Sequence, residues 1–272
     1  MLPRDNLLAT SFFAGLLFLV LILATLISVT ALPDGADNIN TPNSSGRIAA
    51  AAESLVAIAG NVTEADFRGN SVTQFWQGFY GNISGVITLE DGGANVLYNW
   101  STTSPSGEIY AANGTSTVNW LKVQCLNYTS NGFRNDSGAP GGAAGDYSLN
   151  GMNLSELHRT FGFNSSAPGP DNVSATFKES NTHDNFDTGS LTFSTAECPT
   201  AYVFNQLDKP SVGSFEEVIL WDPANNATIW TSILENDAQG FDQRFHDFEM
   251  VVLENGASDT ATTTYFFWVE LQ

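Results

Sequence analysis

The chain has 272 residues, enough for one large β domain or two small ones. Its 29 Asp and Glu residues against 9 Lys and Arg residues give a formal net charge of −20 at pH 7, although charged residues make up only 14% of the chain. The acidity therefore comes from a shortage of basic residues. Because such a surface repels phosphate backbones, the composition argues against nucleic acid as a partner.

An uncharged apolar run, residues 7–29, is long enough to cross a bilayer. Arg4 precedes it and the next basic residue is Arg47, so the positive-inside rule predicts a cytoplasmic N-terminus and an exported remainder. Residues 1–31 are interpreted as a transmembrane signal-anchor, or as a signal peptide if the chain is cut after Ala31, where small residues precede the bond. Either alternative predicts an extracellular or cell-surface protein, anchored in the membrane or secreted.

Two compositional breaks divide the exported part. Residues 32–48 are small and polar with Pro and Gly, which predicts a stalk or linker. Residues 49–272 are predicted to form an extracellular β domain. Within it, residues 131–145 are rich in Gly and Ala with a Pro, so they mark either an internal domain boundary or a long surface loop.

The stretch from Thr73 to Trp100 has the period of a β-hairpin. From Phe75 to Leu89 the apolar residues fall mainly on odd positions, and alternate side chains of a strand point to opposite faces. Asp91-Gly92-Gly93 supplies the turn, since Gly tolerates positive φ. We therefore expect the odd positions and the matching side of the return strand to face inward, including Phe79, Ile83, Ile87 and Tyr98.

The remaining elements are mostly short strands. Residues 153–161 predict one short helix, with Gly162 just past its end. Alternation predicts further strands at 108–112, 173–177, 189–194 and 201–204. The C-terminal third predicts two hairpins, formed by 214–221 with 228–234 and by 248–253 with 263–271. The expected fold class is therefore mainly β: an antiparallel β-sandwich, immunoglobulin-like or jelly-roll-like, with one or two short helices and a preceding N-terminal hydrophobic helix.

Several blocks of the chain carry a family resemblance. They are WQGFYGNISGVITLED with the following LYNWS, then FEEVILWD, and finally FHDFEMVVLENG with YFFWVEL. With these blocks, most of residues 53–272 resembles a group of exported, glycosylated archaeal cell-surface proteins that have an N-terminal hydrophobic segment and a Cys pair. The resemblance implies an archaeal cell-surface protein and carries over no functional residues.

Eleven Asn-x-Ser/Thr sequons follow residue 31. Composition alone would give roughly four or five, so their number favours N-linked glycosylation of several of them. The alternative is that Asn, Ser and Thr are enriched together in turns. The acceptors are Asn43, Asn61, Asn82, Asn99, Asn113, Asn127, Asn135, Asn153, Asn164, Asn172 and Asn226.

Cys125 and Cys198 are the only cysteines in the chain. In an exported protein an isolated pair is most simply one disulfide. A redox or metal-binding pair would need a closer spacing and a nearby His, which this sequence does not offer.

Catalytic motifs are not found in the sequence, so we expect a protein that is not an enzyme. His158, His183 and His246 share no metal-ligand spacing, and His183 lies in a polar loop where a solvated side chain is expected. Carboxylates are the only catalytic or metal-binding groups that the sequence contains in number. An oxygen-rich loop could bind Ca²⁺ through Asp237, Asp242 and Asp247. Solvated acidic residues are the alternative, and no other cofactor is predicted.

Three functions fit these features. The first is a structural or adhesive surface glycoprotein that associates with itself or with other envelope proteins, as a subunit of an envelope layer or filament; a virion surface glycoprotein would share these features. The second is a carbohydrate- or partner-binding module using the aromatic side chains of Trp76, Tyr80 and Trp100, of which Trp76 and Tyr80 could instead pack in the core. The third is a secreted hydrolase that uses paired carboxylates of the acidic loops.

Overall fold

The structure, a computed structural model, describes residues 32–48, 50–101, 105–114, 116–126, 128, 154–164, 168–205, 213–254 and 262–272. The predicted N-terminal hydrophobic helix within residues 1–31 and the Gly-rich break at 131–145 lie outside these residues. In the described ranges, no helix is long and apolar enough to span a bilayer.

The described chain is mainly β, with antiparallel strand pairing and short helices. Its elements in chain order are β1 Asp34–Gly35, β2 Trp76–Gly81, β3 Val86–Glu90, β4 Val96–Ser101, β5 Gly107–Asn113, β6 Gln124–Cys125, α1 Leu154–Thr160, α2 Val173–Thr176, β7 Phe186–Thr188, β8 Leu191–Phe193, β9 Thr200–Tyr202, β10 Glu216–Asp222, β11 Ala227–Ile233, β12 Ala238–Gln239, β13 Phe245–His246, β14 Phe248–Leu253 and β15 Tyr265–Leu271.

The largest sheet runs in the order β1-β15-β5-β11-β10-β6, and β9 pairs with another stretch of β10. Strands β10 and β11 form a hairpin where the sequence predicts one, with Asp222 opposite Ala227 at the turn. The Asp222 carboxylate builds this turn by accepting the backbone amides of Ala224 at 2.9 Å and Asn119 at 2.8 Å. Asn226 completes it with a φ of +54°, a conformation that Asn tolerates better than most residues.

Both faces of this sheet are covered. One face, which carries Ile219 and Trp230, packs against β14, α1 and α2. The other face, which carries Tyr110 and Leu220, packs against Trp120 and the β7–β8 hairpin. Because neither side faces solvent, all seven residues of β10 are buried, including its Glu and Asp residues.

The hairpin predicted over residues 73–100 is correct only in its second half. β3 and β4 pair with each other, but β2 pairs with β14 near the C-terminus. Asp247 holds the corner where β2 ends. Its backbone amide donates to the Gly81 carbonyl at 2.9 Å, and its carboxylate accepts the Ile83 amide at 2.8 Å. Since these bonds fix the corner to the C-terminal part of the chain, β2 ends before the hairpin begins.

Two further strand predictions are wrong. β14 does not pair with β15; β15 pairs with β5 along one edge and with β1 along the other. Residues predicted as a strand at 173–177 instead begin a short helix, because the Asn172 side chain accepts the Ala175 amide at 3.0 Å and caps it. The helix predicted at 153–161 is present as α1.

The predicted stalk is paired with the main sheet where it begins. Asp34–Gly35 adds to the edge of β15, and Pro33 is buried. The described residues between 36 and 75 form no helix or strand, and β2 then returns the chain to the sheets. Counted from 36 to 75, the connection is a loop of 40 residues whose two ends are both held by strand pairing.

Cys125 and Cys198 form the predicted disulfide. It joins β6 to the loop before β9, inside the core on the Tyr110 face of the main sheet. His183 supports this loop, since its Nε2 accepts the Cys198 amide at 3.0 Å. The expectation of a solvated His183 is therefore wrong, because the ring is 1% exposed and part of the core.

Reduction of this disulfide is expected to destabilise the fold. The bond spans a sequence separation of 73 residues, so the chain-entropy model gives a loss of about 4 kcal/mol in the free energy of unfolding. Urea titrations of the oxidised and the reduced wild-type protein, monitored by circular dichroism, compare the same sequence with and without the cross-link. Equal midpoints and slopes would contradict the expectation.

Candidate partner-binding surface

The β3–β4 hairpin is closed by a side chain at its turn. Asp91 Oδ1 accepts the backbone amides of Gly93 at 2.9 Å and Asn95 at 3.0 Å, and the Asn95 side chain donates to both carboxylate oxygens. These hydrogen bonds, those from Asn95 above all, hold the pKa of Asp91 below its ordinary value. In the described residues, β3 and β4 pair only with each other, so both outer edges of the hairpin are open.

Four large apolar side chains of the hairpin share one face, while Val86 beside Thr88 on the other face and Leu97 at the register shift are also exposed. Ile87 lies opposite Trp100 and Leu89 opposite Tyr98, which places these four side chains together. The Tyr98 and Trp100 rings lie 5.0 Å apart between centroids, yet Tyr98 is 59% exposed and Trp100 is 50% exposed. The prediction that Tyr98 faces inward is therefore wrong, because the described residues leave more than half of it exposed. We call these four residues the apolar face.

The opposite face of the hairpin is polar at its centre. Thr88 lies opposite Asn99, and both are exposed. Because side chains alternate along a strand, a glycan on Asn99 would project away from the apolar face. A two-stranded hairpin is marginally stable alone in water, and exposed apolar patches of this kind mark contact sites. The hairpin therefore has the features of a partner-binding element.

The three aromatic residues that were predicted to bind a partner lie in different surroundings. Trp76 packs in the core between Phe177 and Trp230, and its Nε1 donates to the Asp171 carbonyl at 2.6 Å. Trp100 belongs to the apolar face of the hairpin.

Tyr80 lies on β2 in a separate exposed group. Its ring is 5.0 Å from that of Phe241 and 4.8 Å from that of His246, and both Tyr80 and Phe241 are 45% exposed. Tyr80 and Trp100 thus belong to two distinct aromatic groups, one around β13 and one on the hairpin.

The carboxylates proposed as calcium ligands bond to nearby groups. Asp247 accepts the Ile83 amide and, at 3.2 Å, the Asp237 amide. Asp242 accepts from His246 Nε2 at 2.8 Å and forms an ion pair with Arg244. Within the described ranges, no group of three His, Cys, Asp or Glu residues is placed to hold a metal ion. Calcium binding by this loop stays a prediction.

The predicted glycosylation sites differ in exposure. Asn82 and Asn99 are exposed, as the alternation of the sequence predicts, and so are Asn43, Asn61, Asn164 and Asn226. Asn113 and Asn172 are partly buried. The acceptors outside the described residues are Asn127, Asn135 and Asn153.

A buried acidic network is the main feature that the sequence analysis missed. Glu108 and Glu270 lie opposite each other on β5 and β15, and both are almost fully buried. The Tyr110 hydroxyl donates to Glu270 at 3.0 Å, and the Gly189 amide donates to the same carboxylate. Burial raises the pKa of Glu270 to about 7, and burial together with the charge of Glu270 raises that of Glu108 well above its ordinary value.

Glu217 and Glu249 are two further buried carboxyl groups. Glu217 Oε2 accepts the Val251 amide and Glu249 Oε1 accepts the Phe241 amide. Burial raises the pKa of Glu249 to about 7 and that of Glu217 well above its ordinary value. Their second oxygens find no hydrogen-bond partner among the described residues, which adds to the cost of ionising both groups.

An open cleft of about 460 Å³ lies elsewhere, beside α1 and the start of β15. Its lining consists of amide, hydroxyl, backbone and aromatic groups, without an acidic or basic side chain among the residues that form it: Asn113, Gly114, Thr160, Phe161, Thr262, Thr263, Thr264 and Phe266. The cleft therefore does not collect the paired carboxylates that a glycoside hydrolase uses.

Comparison with known proteins finds no match for this chain among family models, curated proteins or solved structures. The archaeal family resemblance therefore stays a prediction from the sequence blocks.

The buried acids predict that stability falls as pH rises. A carboxyl group whose pKa is raised in the folded state contributes stability below its unfolded pKa, and this contribution is lost as pH rises through the folded pKa, here about 7 for Glu270. We expect Glu270→Gln to reduce the fall in unfolding free energy between pH 5 and pH 8 by on the order of 1–3 kcal/mol. Urea titrations at several pH values measure this change. The control is Glu90→Gln on the exposed hairpin, and an identical pH dependence in wild type and Glu270→Gln would contradict the expectation.

Glycan occupancy is expected to differ between sequons whose Asn is exposed and sequons whose Asn side chain is engaged in hydrogen bonds. Asn99 is free to accept a glycan on the polar face of the hairpin, whereas Asn172 Nδ2 donates to the Gly169 carbonyl and its Oδ1 caps α2. Glycopeptide mass spectrometry of the native protein should find Asn82 and Asn99 occupied and Asn172 bare. An occupied Asn172 beside a bare Asn99 would contradict this expectation.

Proposed function

We propose that this protein is a non-catalytic, structural or adhesive glycoprotein of the archaeal cell surface that associates with copies of itself, as a subunit of an envelope layer or filament. The apolar face of the β3–β4 hairpin is the observation that carries the proposal. Residues 1–31 are proposed to export the chain and, if retained, to anchor it in the membrane.

The apolar face supports association because of what it exposes. Tyr98 and Trp100 are the residue types that dominate binding energy at interfaces, and here they lie on paired strands with half or more of each residue exposed to solvent. Exposing them is unfavourable for a monomer in water, and covering them in an assembly removes that penalty. Asn99 on the other side of the hairpin leaves the apolar face clear of its own glycan.

The arrangement of the acidic residues supports a non-catalytic role. Glu108 and Glu270 are buried in the sheet interior, and Asp247 bonds to backbone amides at a structural corner. Glu108 and Glu270 are closed off from solvent and Asp247 is engaged by the corner it holds, so these carboxyl groups are poorly placed to meet a substrate.

The layered packing also supports a finer fold assignment. The β2–β14 sheet lies over the Trp230 face of the main sheet, with Met250 and Val252 in the shared core. We propose a β-sandwich on this basis, and the choice between immunoglobulin-like and jelly-roll-like topology stays a prediction.

A binding module is the second candidate, and the exposed group around Tyr80 and Phe241 favours it. Two aromatic rings beside a His–Asp pair offer a stacking surface with adjacent hydrogen-bonding groups, as sugar or peptide ligands require. This function would depend on Phe241 and would be independent of the hairpin.

Self-association is tested on the full chain. Wild-type protein should show a mass above the monomer by size exclusion with light scattering, and ordered particles or filaments by electron microscopy. Replacing Tyr98 and Trp100 together by Ser should raise the concentration needed for association by about tenfold or more, because interface aromatics of this kind are worth upwards of about 1–2 kcal/mol each.

The matched control is Leu121→Ser, which removes an equally exposed apolar side chain outside the hairpin. It should leave association unchanged. A wild-type chain that stays monomeric at every concentration, with no lattice or filament by microscopy, would overturn the proposed function.

A further inference from the structure

A second apolar surface lies in the loop between β1 and β2. Residues 48–58 carry Ile48, Leu55, Val56 and Ile58, and all four side chains are strongly exposed, with Ile48 at 90% and Val56 at 88%. The described residues of this stretch belong to no helix or strand. We call residues 48–58 the apolar segment.

A hydrogen bond joins the two sides of the loop just outside the apolar segment. The Arg47 guanidinium donates to the Asn70 carbonyl at 3.0 Å, which brings together the two sides of the loop just outside the segment. Farther along, the Thr73 hydroxyl donates to Asp171 Oδ2 at 2.7 Å. The two sides of the loop are therefore joined below the apolar segment, whose four large apolar side chains are left exposed by the described residues.

The segment and the apolar face of the hairpin are alike in charge. In a chain of net charge −20, the segment contains only Glu53, and residues 86–101 contain only Glu90 and Asp91, both at the turn. Copies of such an acidic chain repel one another through most of their surface. Contact between these two stretches brings few like charges together, so two copies of this acidic chain meet there without strong repulsion.

Sequon positions leave both surfaces accessible. Asn43 and Asn61 lie on either side of the apolar segment and none lies within it. Asn99 is on the polar face of the hairpin. Glycans at these positions would border the two apolar surfaces without covering them.

We infer that the apolar segment of one copy covers the apolar face of the β3–β4 hairpin in a second copy. The inference rests on the proposed self-association and identifies the contact that produces it. The segment and the hairpin of one chain do not cover each other, since the side chains of both are exposed. Each copy then offers one donor segment and one acceptor face, so two copies can exchange segments in a closed dimer, and a contact made in one direction repeats from copy to copy as a ring or a filament requires.

Cysteine cross-linking tests this contact. Both native cysteines are joined in the disulfide, so an introduced Cys is the only free thiol. Full-length Val56→Cys and Leu89→Cys chains are mixed under mild oxidation and separated on a non-reducing gel. The control mixture pairs Val56→Cys with Thr88→Cys, which places the thiol on the polar face of the same hairpin.

We expect the mixture with Leu89→Cys to give at least about tenfold more cross-linked dimer than the control, because a specific contact raises the local concentration of the two thiols. Equal yields in the two mixtures would overturn the inference. A chain carrying both Val56→Cys and Leu89→Cys that closes only on itself would also overturn it, since its own segment would then be the occupant.

The failure of this inference is distinct from the failure of the proposed function. If wild-type chains associate but Val56 and Leu89 do not cross-link, the protein assembles through another surface and only the inferred contact is wrong. If wild-type chains remain monomeric, the proposed function fails first.

Discussion

Strands β10 and β11 are buried along nearly their whole length on both faces, so the rest of the described structure is arranged to cover them. The β2–β14 sheet and the helices exclude water from the Trp230 face, and the disulfide-linked loops exclude it from the Tyr110 face. Burial of apolar area is the dominant stabilising term in such a sheet. The acidic residues at 108, 217 and 270 are consequently buried with the strands that carry them, and their raised pKa values reflect the absence of a solvent-facing side.

The need to cover β10 and β11 also explains why β2 is separated from the β3–β4 hairpin. β2 is used as a cover, with Phe79 against Phe267 and Trp76 against Trp230. The hairpin that follows is not used in this way, although one of its faces is equally apolar. The structure thus contains two kinds of apolar surface, one packed into its own core and one exposed. This division links the architecture of the fold to the proposed role in assembly.

Local turn chemistry was predictable from the sequence, whereas long-range pairing was not. Asp91 and Asp222 both form hydrogen bonds that close a hairpin, and the sequence identifies both turns. The pairing of β2 with β14 depends on Asp247, which is distant from β2 in the sequence. Asp247 acts through two hydrogen bonds that no local sequence pattern predicts. Glu270 shares the parity of the buried Trp268, and a carboxylate at such a position was a detectable sign of a buried network.

The sequence was enough to predict which residues make up the apolar face and that they share one side of the hairpin. It was not enough to predict that this side is exposed. Alternation groups Ile87, Leu89, Tyr98 and Trp100 correctly, but the same pattern fits a buried face and a partner-binding face equally well. Only the tertiary arrangement decides between them, because it determines whether the chain has another element left to cover that face.

The two-residue strand β1 has a mechanical consequence if the chain is anchored in the membrane as proposed. In a chain held in the membrane by residues 7–29, a pulling force enters the described structure at Asp34 and acts first on the short pairing of β1 with β15. Separation of these two residue pairs, together with the Ala36–Phe267 and Arg47–Asn70 hydrogen bonds, would release the 40-residue loop that follows, which extends to about 130 Å at roughly 3.3 Å per residue. The disulfide-linked sheet would remain folded while the tether lengthened. An envelope built from such subunits could yield under load and recover its spacing when β1 pairs again.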